Sequence, residues 1–274
     1  MNRCMAVTGL IFLVACTPAN KEPTFAVPIQ SAIVEYRDGV TERELNTPTQ
    51  VVILGTGTPI PDPRRAGPSV AVIHRGQSYL FDIGAGSIQN AVTARYLHDI
   101  PSLYPTHICC VFITHMHSDH TLDLVELAYR MWWRRPHRLR VFGPTGVDHM
   151  VGKMEEMMGP DLRIRLAGTQ PVQFPESRRA VATEISDGVV LEKEGLKIEA
   201  FSVPHGAISP AYAYKVTAHD RTIVISGDTS LSEKLEEMAT GVDVLVHEVI
   251  SDQGLLKNSP AFQKYHKASH TLAS

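Results

Sequence analysis

The sequence predicts an α/β protein whose buried strands end in ionisable side chains, and three observations support this fold class. Continuous apolar runs such as 50–54, 108–113 and 242–246 have the length and composition of buried strands. Between such runs lie segments with apolar residues at helical spacing, as in 87–97. Several of the apolar runs lead directly into histidine or aspartate, so polar side chains are expected at the strand ends of the domain.

The N-terminal segment predicts export. Residues 1–16 join a short positive start, an apolar stretch and the ending L-V-A-C, which is typical of a secretory signal peptide and too short to span a membrane as a mature helix. The ending also resembles a bacterial lipobox, in which Cys16 carries lipid; an ordinary signal peptide with a chance cysteine is the alternative. Residues 17–48 form a tether and N-terminal extension. We expect a periplasmic or membrane-anchored bacterial lipoprotein that contacts the membrane only through this anchor.

The composition of the chain is that of an ordinary globular protein. Its 274 residues, 43% hydrophobic and 20% charged, suffice for one domain with a large core. A formal charge of −3 gives no basic surface, which disfavours a nucleic-acid partner. Cys109 and Cys110 are neighbours in an apolar run. We expect two buried thiols here rather than a disulfide, because bonding adjacent cysteines strains the backbone.

The first elements of the domain follow from apolar runs and turn residues. The strand at 50–54 is followed by a G-T-G turn, whose glycines either let the backbone pass close to a functional site or form a plain tight turn. A hairpin is predicted over 69–74 and 78–81, around an Arg-Gly turn. Ser87 is expected to cap the helix that follows.

The later elements alternate between helices and strands. The methionines of the second predicted helix recur at helical spacing and are expected to fill the core, and residues 159–194 are expected to be rich in loops with short strands. The predicted helices lie at 121–131, 145–158 and 231–239, and the predicted strands at 138–142, 196–203, 211–216, 222–225 and 242–246.

The segment 115–120, with the pattern H-x-H-x-D-H, carries the strongest chemical signal. Imidazole and carboxylate groups are the usual ligands of zinc and similar divalent ions. His115 and His117 are two residues apart, so on an extended backbone both point the same way and can hold one ion. Asp119 and His120 lie where the chain turns into a helix and can face a second ion. Chance crowding of a polar loop is a poor explanation for four such residues at one strand end.

Two further strand ends supply matching side chains. The strand at 196–203 leads into Pro-His-Gly, so His205 can complete a three-histidine site with His115 and His117. Asp228 follows another apolar run in the context S-G-D-T. It could instead cap the next helix, but the context favours metal ligation.

These motifs resemble those of a known family. The pattern H-x-H-x-D-H after a buried strand is the hallmark of metallo-β-lactamase-fold hydrolases, and the likeness extends from about Thr49 to the end. Within that family the chain is similar to the branch of ribonuclease Z and the arylsulfatases of this fold. The motifs V-I-S-G-D-T, H-E-V-I-S and Y-H-x-x-S-H-T are closer to the arylsulfatase-like members. The resemblance implies an αββα sandwich, with two mixed sheets packed face to face and helices outside.

The resemblance also implies the roles of individual residues. Two zinc ions are expected, the first held by His115, His117 and His205, and the second by Asp119, His120 and Asp228. Asp228 bridges both ions, Asp119 orients the attacking hydroxide, and His270 of the S-H-T motif protonates the leaving group. The residues expected just outside the ligand set are Asp82, His247 and Glu248.

The family's last metal ligand lies on a further strand past the S-H-T motif. The domain 49–274 is therefore expected to be C-terminally incomplete, without a helix, a strand and one ligand of the second zinc site. His266 or His270 could substitute for that ligand.

The segment Trp132, Trp133 and Arg134 allows two interpretations. It can be core packing with a solvated basic end, or it can emerge at the mouth of the site and bind an aromatic ring and an anion of the substrate.

The predicted function is an exported binuclear zinc hydrolase that cleaves a small sulfate or phosphate ester. Ribonuclease Z carries a long arm for tRNA between the residues matching His205 and Asp228, whereas here only 23 positions (228 − 205) separate them. A ribonuclease Z-type endonuclease that processes tRNA 3′ ends is the alternative. From another class, a surface lipoprotein that binds ligand or metal without turnover is also considered. The family often forms dimers, so a homodimer is expected.

Overall fold

Two β-sheets packed face to face form the centre of the computed structural model, which describes residues 41–273. The predicted signal peptide, the lipid anchor at Cys16 and the first part of the tether fall on residues 1–40, outside the described residues. Of the predicted extension, residues 41–48 contain the short helix α1 (Glu42–Asn46), which begins with a capping box between Thr41 and Glu44.

The first sheet has six strands, and its order along the sheet follows the order along the chain. The first three strands pair antiparallel and the last four pair parallel, so the sheet is mixed. Its strands are β1 (Gln50–Gly55), β2 (Ser69–His74), β3 (Gln77–Phe81), β4 (Cys110–Phe112), β5 (Arg140–Gly143) and β6 (Val181–Glu184).

The second sheet has five strands in the order β11-β10-β9-β8-β7. All its pairs are antiparallel except β10 with β11. Its strands are β7 (Gly188–Lys193), β8 (Leu196–Ser202), β9 (Tyr212–Thr217), β10 (Thr222–Ile225) and β11 (Val244–Val246), and a separate parallel pair consists of β12 (Ile250–Ser251) and β13 (Leu272–Ala273).

Helices cover the outer faces of both sheets. One apolar cluster joins the first sheet to α2, α3 and α4, and a smaller one joins the second sheet to α5. Among residues 41–273, no helix combines the length and apolarity needed to cross a bilayer. The helices are α2 (Ser87–Leu97), α3 (Leu124–Tyr129), α4 (Val147–Ala167), α5 (Glu233–Ala239), α6 (Asp252–Leu255) and α7 (Pro260–Ser269).

Aromatic side chains fill the space between the sheets. Phe112 stacks on Phe81 and Phe142, with ring centroids 5.1 and 4.8 Å apart, and Tyr214 of the second sheet packs against the first two rings. The Tyr214 hydroxyl donates to the carbonyl of Ile113 at 2.7 Å, so its polar end is satisfied in the core. Burying one such ring contributes about 1.5–3 kcal/mol. The predicted αββα sandwich is confirmed.

Several element boundaries differ from the prediction because burial depends on a strand's place in its sheet. β1 and β11 lie at sheet edges and are partly exposed, with Ile53 at 49% and Leu245 at 45%, rather than buried. α4 continues through Pro160 to Ala167, into the segment predicted as loop. Ser87 is the first helical residue of α2 rather than its cap, because Gly86 with positive φ holds the N-cap position.

The prediction of two free thiols at Cys109 and Cys110 is wrong, because a disulfide joins them. Cys109 precedes β4 instead of lying in it, so the alternation that sends neighbouring side chains to opposite faces of a strand does not apply. Both sulfurs turn towards the cluster between the sheets.

Candidate metal centre

Histidine and aspartate side chains meet at one edge of the sandwich because several strands end there. β4 leads to His115 and His117, β8 leads to His205, and β10 leads to Asp228. The 3-10 turn Ser118–His120 follows and adds Asp119 and His120. The carboxyl ends of the parallel strands β3 and β4 lie at the same edge, which explains why Asp82, directly after β3, joins the group.

The three histidines predicted for the first ion form one compact group. His115 Nε2 lies 2.9 Å from His117 Nδ1, and His205 Nε2 lies 3.4 Å from the same atom. One ring nitrogen of each can therefore face a common point, and the three fit a single divalent ion.

Hydrogen bonds on the far side of two rings determine which nitrogen faces that point. His205 Nδ1–H donates to the carbonyl of Ser269 at 2.7 Å, which leaves Nε2 as the free acceptor. His115 Nδ1 lies 2.9 Å from the Thr114 hydroxyl, which itself donates to Asp82. His115 Nδ1 must therefore carry the hydrogen, and its Nε2 faces the cluster. Metal-ligating histidines are commonly oriented in this way.

Asp82 connects the backbone of the motif to its last histidine. Its carboxylate accepts from the Thr114 amide and hydroxyl, both at 2.8 Å, and from His120 Nδ1–H at 2.7 Å. The residue is 4% exposed and has a φ of 55°, a conformation that non-glycine residues adopt only at some cost. Asp82 thus lies where its predicted supporting role requires.

His120 provides a direct test of whether this group suits a metal ion. Its Nδ1 is bonded to Asp82, but its buried Nε2 makes no well-oriented hydrogen bond. The nearest carboxylate oxygens, Asp228 Oδ2 at 3.4 Å and Asp119 Oδ2 at 3.6 Å, lie around this nitrogen. A buried polar atom without a partner is costly, and a divalent cation among these three groups removes the cost. The donor set fits zinc.

Asp228 lies between the two groups of predicted ligands. Its Oδ2 is 3.4 Å from His120 Nε2 and 4.0 Å from His205 Nε2. The alternative that Asp228 caps the next helix is wrong, since Ser232 is the N-cap of α5. One carboxylate can therefore face both positions, as expected for a bridging ligand.

The protonation states of His115 and Asp228 match metal binding. Burial, reinforced by the nearby His120, lowers the pKa of His115 to about 2. Burial opposes charge on His120, but the Asp82 carboxylate, and after it Asp228, outweighs burial and raises the pKa of His120. Burial also opposes charge on Asp228, but the neighbouring His120 holds the pKa of Asp228 well below its usual range. His115 and Asp228 are thus in the forms that bind metals, whereas His120 holds a proton that a metal ion would displace.

Glu248 holds His270 beside the cluster. Its Oε1 accepts from His270 Nδ1–H at 3.1 Å and from the amides of Thr229 and Thr271 at 3.1 and 3.2 Å. Burial opposes protonation of His270, but the bond to Glu248 outweighs it and raises the pKa of His270. His270 Nδ1 is also 3.9 Å from Asp228 Oδ2, so the imidazole lies at the edge of the centre.

The structure places His247 away from the centre, which corrects its predicted supporting role. His247 and Leu245 are two residues apart and point to the same side, where both line a surface groove with Leu231 and Leu235. Glu248 points to the opposite side. The alternation along an extended segment separates the two neighbours.

The predicted substrate contacts of Trp132, Trp133 and Arg134 are also corrected. Trp132 is fully buried in the core under the helices, and the Trp133 ring packs against Arg165 of α4 at 4.0 Å. The cause is the early end of α3 at Tyr129, after which a 3-10 turn at Trp132–Arg134 directs the first tryptophan inward. Arg134 is exposed on this helical layer. The core-packing interpretation is the one that the structure supports.

Sequence reasoning missed some positions that shape the centre. Thr114 directly precedes the motif and orients both Asp82 and His115, while the Ser269 carbonyl orients His205 from a distant segment. Gly84 is also required, since a Cβ there would lie 2.3 Å from the carbonyl oxygen of Asp119. The glycines of the G-T-G turn instead pack against Ala66 and Gly67, a close approach of two backbone segments. Only Thr114 could have been found from sequence adjacency.

An αββα sandwich with imidazole and carboxylate groups at its strand ends defines a hydrolase of the metallo-β-lactamase fold. Residues 78–255 match the family model described as the β-lactamase superfamily domain, and the chain belongs to this family.

One relative by sequence is a ribonuclease Z from Mycobacterium marinum. It is 32% identical over 215 residues, which cover 77% of this chain and 74% of the relative. Two solved structures share the fold at lower identity. Human tRNase Z, short form, has a TM-score of 0.59 and 19% identity, over 81% of this chain and 92% of its own. Zn²⁺-bound PqqB from Methylobacterium extorquens has a TM-score of 0.57 and 16% identity, over 80% of each chain.

Proposed function

We propose that this protein is a zinc-dependent phosphodiesterase whose reaction is of the ribonuclease Z type. The observation that carries the proposal is Asp228, whose carboxylate lies between the three-histidine group and His120 with His270 alongside. This arrangement suits two ions and a proton donor at one phosphorus centre. The ribonuclease Z relatives support a phosphodiester substrate. A sulfate ester is supported only by the likeness of short motifs to the arylsulfatase-like members of the family.

In the proposed mechanism, two zinc ions supply Lewis acidity and lower the pKa of the attacking water. His115, His117 and His205 would hold one ion, while Asp119, His120 and Asp228 would hold or share the other. The Asp119 carboxylate orients the water and accepts its proton. His270, kept protonated by Glu248, donates a proton to the leaving oxygen. His270 also lies in a triplet with His205 and Asp228 whose ligand atoms are within 4.8 Å of one another, so in its neutral form this residue could instead contribute to an ion.

A second candidate is a phosphodiesterase of small substrates, and the hairpin β9–β10 favours it. This hairpin fills the segment between His205 and Asp228, where ribonuclease Z has its tRNA arm. The overall charge of −3 also offers little attraction for a polynucleotide. The proposed export of the protein would likewise separate it from precursor tRNA.

Three substrates separate these functions. With zinc-loaded protein we expect faster hydrolysis of bis(4-nitrophenyl) phosphate than of 4-nitrophenyl sulfate, and Asp119→Ala should abolish both activities. Cleavage of a precursor tRNA at its 3′ end would support the ribonuclease, and its absence together with diester hydrolysis would support the small-substrate enzyme. Faster sulfate hydrolysis would refute the phosphodiesterase proposal. Zinc binding without any turnover would instead favour a binding lipoprotein.

Replacing Glu248 by Gln should shift the pH dependence of hydrolysis. Glu248 raises the pKa of His270, so the protonated donor persists to higher pH and activity falls as the pH rises through that pKa. Without the carboxylate, the pKa of His270 is lower and the fall should begin at lower pH. The test is kcat/KM against pH for wild type and Glu248→Gln. An unchanged basic limb would exclude His270 as the proton donor that Glu248 tunes.

The loop between β1 and β2 carries Arg65, a cationic side chain that we propose contacts the anionic substrate. A Cβ on Gly67 would lie 3.0 Å from the Asp119 carbonyl, so this end of the loop borders the centre. Arg65 is two residues away, at most about 8 Å along the chain, which is within reach of a long side chain. Arg64 is bonded to Asp62 at 3.0 and 2.9 Å, whereas no carboxylate within residues 41–273 lies at ion-pair distance from Arg65.

Arg65→Ala should therefore raise KM for a diester about tenfold with little change in kcat, since one charge-assisted hydrogen bond is worth about 1.5–3 kcal/mol. Arg64→Ala is the matched control and should change KM little. Measuring both constants at low and high salt checks the assignment, because the Arg65 effect should shrink with salt. Equal effects of the two variants would argue against a specific contact.

A further inference from the structure

A second cluster of metal-binding side chains lies at the opposite end of the sandwich from the metal centre. His74 closes β2, and His219 and Asp220 lie in the turn between β9 and β10. The other end of β2, at Ser69, is bonded to Asp82 of the centre, and β10 runs from this turn towards Asp228. The length of these strands, at about 3.3 Å per residue, separates the two clusters by roughly 20 Å.

The three side chains can face one point. One ligand atom from each of His74, His219 and Asp220 lies within 4.8 Å of the other two. His219 Nδ1 is 3.7 Å from Asp220 Oδ1, and the two imidazole rings approach edge to face with centroids 5.7 Å apart. His74 is 2% exposed, while the other two residues are exposed, so the cluster opens to solvent on one side.

The side-chain contacts of this cluster outnumber by one the hydrogens that are available to form hydrogen bonds. Besides the Thr49 amide, which donates to Asp220 Oδ2 at 2.8 Å, three contacts connect it: Thr49 Oγ1 to Asp220 Oδ1 at 2.6 Å, Thr49 Oγ1 to His74 Nδ1 at 2.9 Å, and His74 Nε2 to the Glu194 carbonyl at 3.4 Å. Burial lowers the pKa of His74, so at neutral pH its ring carries one hydrogen. With the single hydroxyl hydrogen of Thr49, two hydrogens are available for three contacts.

One distribution of these hydrogens produces a metal ligand. The carboxylate can only accept, so Thr49 donates to Asp220. The hydrogen of the His74 ring then lies either on Nδ1, donating to Thr49 Oγ1 at 2.9 Å, or on Nε2, donating to the Glu194 carbonyl at 3.4 Å. With the hydrogen on Nε2, Nδ1 keeps a free lone pair, which is the form that can bind an ion. A histidine whose second nitrogen is held by a backbone carbonyl is the usual arrangement of a metal-binding imidazole.

We propose that His74, His219 and Asp220 bind a divalent transition-metal ion, with Zn²⁺ as the representative. Two imidazoles and one carboxylate are a donor set that such ions prefer. The ion would join the end of β2 in the first sheet to the β9–β10 turn of the second, so it would act as a structural link between the sheets. Because it binds the folded chain, it would stabilise that chain.

The test is the zinc content and thermal stability of the full-length protein and three variants. His219→Ala and Asp220→Asn remove exposed ligands, and His149→Ala removes an exposed histidine of α4 as the matched control. After equilibration with zinc, we expect each ligand variant to contain one ion fewer than wild type and the control. Zinc should also raise the Tm of the ligand variants less than it raises the Tm of wild type.

Equal zinc content in His219→Ala and His149→Ala would overturn the proposal. The proposal would also be overturned if the difference in stability between wild type and the ligand variants depended on pH but not on zinc. Protonation of His74, and not a metal ion, would then supply the missing hydrogen of the cluster. Neither readout requires hydrolytic activity, so the result is independent of the proposed phosphodiesterase. The ligand variants should keep the hydrolysis rate of wild type, since they lie at the far end of the strands.

Discussion

Asp228→Asn is expected to reduce kcat/KM by about 10³-fold, because charge stabilisation by correctly placed metal ions is worth several kcal/mol. The carboxylate lies within 4.0 Å of ring nitrogens of His120, His205 and His270, so a single change affects both predicted ion positions and the proton donor. The measurements are kcat/KM for a phosphodiester and the zinc content per chain, both of which should fall.

The control for this variant is Asp187→Asn. Asp187 also accepts a backbone hydrogen bond in the second sheet, from Ser202 at 2.9 Å, but its carboxylate is exposed and makes no contact with the centre among the described residues. It should leave activity and zinc content unchanged. Activity of Asp228→Asn within tenfold of wild type, at full zinc content, would show that the carboxylate does not share two ions.

Asp82→Asn is expected to weaken zinc binding about 10- to 100-fold, the usual effect of removing a group that orients a metal ligand. The amide has one acceptor oxygen for three donors, which are the Thr114 amide, the Thr114 hydroxyl and His120 Nδ1–H. At least one buried donor loses its partner, at a cost of about 1–3 kcal/mol in the free energy of unfolding. Competition with a zinc chelator and urea unfolding measure the two effects.

Asp123→Asn separates the role in orientation from the role in stability. The Asp123 carboxylate is also buried and accepts from the Ile88 amide at 3.0 Å and from Ser87, at the start of α2, but it contacts no predicted metal ligand among the described residues. This variant should lower the free energy of unfolding and leave zinc affinity unchanged. Similar losses of zinc affinity in both variants would mean that Asp82 acts through general stability alone.

Features that depend on neighbouring residues could be predicted from the sequence. The two-residue spacing of His115 and His117 places both side chains on one side of an extended segment. The Arg75-Gly76 turn, with both residues at positive φ, connects the predicted hairpin. The same reasoning located the strands that end at His205 and Asp228, because a short apolar run determines where a buried strand stops.

Features that depend on distant segments could not be predicted in this way. Trp132 is a core residue because α3 ends early and the side chain joins the apolar cluster under α2, α3 and α4. Cys109 and Cys110 are bonded because the first of them lies outside the ladder of β4.

From residue type and local spacing, the sequence by itself predicted an α/β fold and a group of candidate metal ligands at the strand ends, while the resemblance of its motifs to a known family implied the sandwich arrangement and the class of chemistry. Only the tertiary structure decided which groups support those ligands, such as Thr114 and the Ser269 carbonyl, and that His74 meets Asp220 across 146 positions (220 − 74). The physical reason is that orientation and burial of a side chain depend on what packs against it, and the packing partners here come from remote parts of the sequence.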